Sequence, residues 1–150
     1  MKLLFLSSDK FPPFRVDVSV LFGKKMVERG HSIDWLLQAE ENTQQGFQTK
    51  WSGCKVWVAP TDRGNSFLSR LKKNFFGVSQ SFKAFHLLRH RNYDLLLVKD
   101  VFISGLIAII ASKLFGVKSI YWLSYPIPEY YLHERRERRA RYLTLYWIRG

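Results

Sequence analysis

Cysteine is nearly absent. Cys54 stands alone, which excludes a disulfide framework within one chain and suits a reducing compartment. It precedes Val56, Trp57 and Val58 and reads as buried apolar filler. Long apolar runs are missing as well. Leu3 to Leu6 is too short for a secretory h-region and reads as a first strand instead. The longest apolar stretch, Val101 to Ala111, is interrupted by Ser104 and Gly105 and closed by Lys113. It falls well short of the ~20 residues that span a bilayer. A Gly-x-Gly-x-x-Gly turn is also lacking after the first strand, which disfavours NAD and FAD. Acidic residues are missing from one long segment: residues 63–91 carry seven Lys/Arg and no Asp or Glu.

What is present fits one domain. A chain of 150 residues with 47% apolar and 24% charged content hides roughly 70% of its unfolded surface without staples. The formal net charge is +12, which points to an anionic partner: a phosphate-bearing substrate, lipid headgroups or nucleic acid. The excess is concentrated. Residues 1–62 hold eight Lys/Arg against seven Asp/Glu, whereas 63–91 are purely basic and 133–150 hold six Arg against two Glu.

Periodicity predicts alternating strands and helices. Lys2 to Leu6 is a buried strand, and Pro12 and Pro13 then force a loop. Asp17 and Ser19 are N-cap candidates for a helix with Val20, Leu21, Met26 and Val27 on its apolar face, ended by Gly30. His31 to Leu37 and Cys54 to Val58 are the second and third strands, separated by a polar, Gln-rich loop from Gln38 to Lys50. A basic amphipathic helical segment runs from Asn65 or Ser66 to His90 with a break expected at Gly77. Tyr93 to Val98, a helix from Phe102 to Phe115 ended by Gly116, and Lys118 to Leu123 complete a βαβ unit. A last helix is expected over Glu129 to Arg149. The fold class is therefore α/β: a Rossmann-like parallel sheet of about five strands flanked by helices, with strand order 3-2-1-4-5.

In such a sheet, ligands bind outside the carboxyl ends of the strands where the order reverses. Three segments meet there: the loop after strand one, Ser7 to Asp17, with Phe14, Arg15 and Asp17; Lys99 and Asp100 ending strand four; and Ser124 to Glu129, with Tyr125, after strand five. Arg15 supplies a cation or is an ordinary solvated arginine. Asp100 orients a ligand hydroxyl or caps the following helix. Glu129 favours a helix dipole or faces ligand. His86 and His90 have i, i+4 spacing but no acidic companion and no third ligand, so no metal site is expected. His31 reads as a local turn residue, and His133 as uninformative.

Several of these segments together resemble the N-terminal half of family 4 retaining glycosyltransferases of the GT-B fold. They are the strand, the Pro-Pro loop, Glu28-Arg29-Gly30-His31-Ser32-Ile33, Tyr93-Asp94-Leu95-Leu96-Leu97-Val98-Lys99-Asp100 and Phe115-Gly116-Val117-Lys118. The resemblance covers nearly the whole chain. It implies an acceptor-binding half, with a nucleotide-sugar-binding C-terminal domain supplied by sequence beyond this chain, no cofactor, and a lone half that does not turn over. Two departures stand out. Phe14-Arg15-Val16-Asp17 occupies the place of a Gly-Gly pair that contacts donor phosphate, and Ser124 occupies the place of a histidine that contacts the transferred sugar. Ser124 and Asp100 are the catalytic-position candidates that the resemblance implies. A serine hydroxyl can hydrogen-bond a sugar but cannot act as an imidazole near neutral pH. Stabilisation of leaving-group phosphate by positioned cations does not need that histidine.

The basic segments interleave aromatics. Arg70, Lys72, Lys73, Phe75 and Phe76 in the first, and Arg135, Arg136, Arg138, Arg139 and Trp147 in the second, have the composition of interfacial segments on an anionic membrane. An ordinary surface helix with a buried aromatic face is the plainer reading of the first. The expectation is a peripheral protein at the cytoplasmic membrane face, acting on a lipid-linked or polysaccharide acceptor. Nucleic-acid binding is the runner-up and lacks any recognised motif. A non-catalytic scaffold built on a degenerate transferase domain is the third class.

Overall fold

A computed structural model of the chain describes residues 1–41, 43, 45–61 and 67–124, with the backbone alone for 67–78. Six strands form one sheet: β1 (Lys2–Phe11), β2 (Ser32–Ala39), β3 (Phe47–Trp51), β4 (Cys54–Ala59), β5 (Leu95–Lys99) and β6 (Lys118–Trp122). The spatial order is β3-β4-β2-β1-β5-β6. Every pairing is parallel except β3 with β4. The five strands expected from periodicity stand in the order expected, and the order reverses at β1.

The addition is β3, in the stretch expected to be loop. It forms a hairpin with β4 through Ser52 and Gly53, at φ 49° and 75°. Two consecutive left-handed residues match the twist of an antiparallel ribbon, and glycine takes the second at no steric cost.

Side chains alternate between two apolar layers because successive strand residues point to opposite faces. On one face Leu3, Phe5, Ile33, Trp35, Leu37, Val56 and Val58 pack with Val18 and Phe22 of a π-helix, Asp17–Met26. On the other, Leu4, Leu6, Leu36, Trp57, Leu96 and Val98 pack with α1 (Phe67–His90) through Ala84, Leu87 and Leu88, and with α2 (Ile103–Leu114) through Ala108 and Ala111. Cys54 lies in the first layer, as expected of filler, with its sulfur 3.4 Å from the Ile33 amide. Three local expectations are corrected. The backbone of α1 continues through Gly77, because one glycine costs only ~1 kcal/mol in a helix interior and α1 is 24 residues long. The π-helix has no side-chain N-cap: the Asp17 carboxylate turns to Arg15, and the Ser19 hydroxyl donates to the Arg15 carbonyl at 2.9 Å. Strand β1 extends to Phe11, past the loop start expected at Ser7.

Candidate functional site

That extension shapes the rim. From Leu6 to Lys10, β1 advances four residues while its partner β2 advances two, Leu36 to Gln38. The surplus bulges outward, a device that re-aims side chains beside ligand sites. It carries Ser7, Ser8 and Asp9 toward the end of β5. There the Lys99 side chain is completely buried, its ammonium 2.8 Å from Asp9 Oδ2, 3.4 Å from Asp100 Oδ2 and 5.5 Å from the Trp122 ring centre. The Ser7 hydroxyl donates to Asp9 at 2.8 Å and so fixes the carboxylate that holds the lysine. A buried cation left unpaired is strongly destabilising, whereas one held by two carboxylates is retained.

Asp100 follows β5 in the left-handed region, φ 53°, which aspartate tolerates better than most residues. This turn aims the carboxylate across the rim. Oδ1 accepts the Ser124 backbone N–H at 2.8 Å, while Oδ2 faces Lys99 and, at 3.8 Å, the Arg15 guanidinium. Burial pushes the Asp100 carboxyl up, but the neighbouring Ser124 hydroxyl, the Ser124 amide and the Lys99 charge outweigh it and hold the group below its ordinary value. The Ser124 hydroxyl acts there by proximity. It makes no well-formed hydrogen bond with any described residue and is buried.

The rim thus brings together Arg15, Asp17, Lys99, Asp100 and Ser124 as the sequence implies. Arg15 is ion-paired rather than merely solvated, since its Nε lies 3.3 Å from Asp17 Oδ1. Asp100 does not cap α2, whose N-cap is Phe102 without a side-chain hydrogen bond. Phe14 projects outward, 77% exposed. Asp9, Ser7 and Trp122 are members that periodicity did not single out. Tyr125, Glu129, Arg135, Arg136, Arg138, Arg139 and Trp147 lie outside the described residues, as do the side chains of Arg70, Lys72, Lys73, Phe75 and Phe76. The His86 and His90 rings lie tilted to one another with centres 4.4 Å apart, and among the described residues no group of three metal-ligating side chains forms.

The charge balance at this rim is unlike that of the whole chain. Asp9, Asp17 and Asp100 outnumber Lys99 and Arg15 by one. Every cation there is already matched to a carboxylate. These residues suit an uncharged, hydroxyl-rich ligand far better than a diphosphate, which needs uncompensated cations or a glycine-lined helix start.

No protein-family model matches the chain, and no curated protein sequence matches it either. Similarity to solved structures is clear at the level of fold. Two crystal structures of the C-terminal domain of a hydrogenase from Pyrococcus furiosus superpose with TM-scores of 0.55 and 0.54. Both are 16% identical, over 81% and 80% of this chain and 90% and 89% of that domain. The glycosyltransferase of kitacinnamycin superposes with a TM-score of 0.50 at 14% identity, over 91% of this chain and 34% of that one. The architecture of this chain is accordingly a mostly parallel, Rossmann-like α/β sheet that is similar to part of a glycosyltransferase.

Proposed function

We propose that the chain is the acceptor-binding half of a retaining, two-domain glycosyltransferase of GT-B type. In this reading the sugar donor is a nucleotide sugar bound mainly by a second domain, and the acceptor is a lipid-linked or polysaccharide glycan at a membrane surface. The observation that carries the reading is the carboxylate of Asp100, clamped by Lys99 and the Ser124 amide at the strand-order reversal, beside a buried hydroxyl that no described residue satisfies. A fixed, ionised carboxylate accepts a hydrogen bond from a sugar hydroxyl, and the Ser124 hydroxyl donates or accepts a second. Both orient the acceptor oxygen for attack, a contribution of positioning rather than of proton abstraction. The structural likeness to a glycosyltransferase over 91% of the chain supports the reading.

The test is release of nucleoside diphosphate from a panel of nucleotide sugars by the full-length protein, with membrane extract as acceptor. Acceptor-dependent release is expected, and Asp100→Asn lowers it by about 10- to 100-fold, the worth of a charged hydrogen bond in the transition state. Ser124→Ala has a smaller effect of the same sign. Silence across the panel, or release indifferent to both substitutions, overturns the assignment.

A further inference from the structure

A second concavity lies off the rim. It is a groove of about 290 Å³ between α1 and the far edge of the sheet. Its floor is a single lateral row across three strands, Gln48, Trp57 and Leu36, which are register partners and therefore share a face. Its roof is one turn of α1: Ser79, Gln80 and Lys83. Gln80 is fixed there, almost wholly buried, with its amide donating to the Leu37 carbonyl at 2.8 Å.

Size selects the ligand. A groove of 290 Å³ is at the bottom of the ~300–1,000 Å³ range of ligand pockets. It holds one small ring and no nucleotide. The lining selects further: an indole, an aliphatic floor residue, two amides and a hydroxyl match a ring that has both C–H faces and polar substituents.

Charge makes the last selection. Among the described residues no acidic side chain lines the groove, in contrast to the three carboxylates of the rim. The Lys83 ammonium sits 5.8 Å from the centre of the Trp57 ring, and among the described residues no carboxylate pairs with it. Arg91, over the same ring at 5.3 Å, is committed to Asp34 at 3.3 Å. The groove therefore offers one uncompensated cation beside a surface suited to a sugar.

We propose that this groove is a subsite for a single anionic monosaccharide unit, a hexuronate or a sugar phosphate, in which Lys83 takes the charge and Gln48, Ser79 and Gln80 take hydroxyls. It rests on the acceptor-side reading and gives the acceptor a chemical class: an acidic glycan. Strand β4 lies two strands, ~10 Å, from β1; the groove is on the α1 face of the sheet, and Lys99 of the rim is on the π-helix face.

Binding is measured on the chain itself, with the indole N–H groups labelled with ¹⁵N and the Trp57 resonance assigned by Trp57→Phe. Glucuronic acid and glucose 6-phosphate are titrated against neutral glucose and inorganic phosphate. The two charged sugars are expected to shift the Trp57 resonance and to bind at least about tenfold more tightly than glucose, as one charged contact implies. Lys83→Gln abolishes the difference, and Lys113→Gln, on α2, leaves it intact. Equal binding of charged and neutral sugars, no shift at Trp57, or phosphate matching glucose 6-phosphate each overturns the proposal. Because diphosphate release by the full-length protein is a separate measurement, such a failure leaves the transferase reading standing, and the converse holds too.

Discussion

Asp100 combines three features that rarely coincide by accident: a left-handed backbone, partial burial and two nearby cations. Its depressed carboxyl pKa has a direct consequence for stability. A carboxyl whose folded value lies below its unfolded one adds stability above the unfolded value, about pH 4, and this is lost as pH falls through the folded value. Asp100→Asn removes the charge toward Lys99 and Arg15, so the variant is less stable than the parent at neutral pH. The two curves converge on acidification. Urea midpoints followed from neutral to acid pH measure this, and parallel curves would show that the Asp100 charge adds nothing to the fold. The sequence made Asp100, Lys99, Arg15 and Ser124 legible as rim residues, because strand ends follow from apolar periodicity. Asp9 fell inside the expected rim loop, but its pairing with Lys99 was not legible, because it depends on the bulge in β1. A bulge adds residues without altering the apolar pattern that locates the strand.

At the scale of elements, the hairpin of β3 and β4 is the part that apolar periodicity passed over, although its signal was present. Phe47-Gln48-Thr49-Lys50-Trp51 and Cys54-Lys55-Val56-Trp57-Val58 alternate around a Ser52-Gly53 turn, and the first strand is polar because it is an exposed edge. Its half-buried anchor is Trp51, which meets Trp35 edge to face with ring centres 5.2 Å apart and covers Gly23 of the π-helix. A Cβ at Gly23 would collide with the Trp51 ring. Alanine at a helical glycine ordinarily stabilises by up to ~1 kcal/mol, but overpacking costs ~1–3 kcal/mol and wins here. Gly23→Ala is therefore expected to destabilise by about 1 kcal/mol, net of the two effects. In the Trp51→Ala background the same substitution becomes neutral or stabilising, which a double-mutant cycle of denaturant melts reads directly. Additive effects would mean that Trp51 does not rest on Gly23.

Across the whole molecule, charge is distributed against the site. The rim is balanced to within one negative charge, yet the chain carries +12, so the excess serves something other than binding at the rim. Residues 63–91 hold seven cations without an acid, and nearby surfaces expose apolar side chains: Phe82 at 72%, with Ile103, Leu106, Ile110 and Leu114 along one side of α2. No described helix is long and apolar enough to cross a bilayer. Basic charge beside exposed apolar groups is the combination that holds a protein at an anionic surface without a span, at ~1 kcal/mol per basic residue. Cosedimentation with vesicles containing phosphatidylserine is expected to exceed that with neutral vesicles and to fall as salt is raised. Replacing Arg70, Lys72 and Lys73 together by glutamine removes about 3 kcal/mol, a loss of roughly 100-fold in partitioning. Phe82→Ser weakens binding further by removing an apolar contact that salt does not screen. The same variant leaves a purely electrostatic interaction with duplex DNA unchanged, so it separates lipid from nucleic acid as the target of the charge. Binding equal on neutral and anionic vesicles, or unmoved by the triple substitution, would detach the basic segment from the membrane altogether.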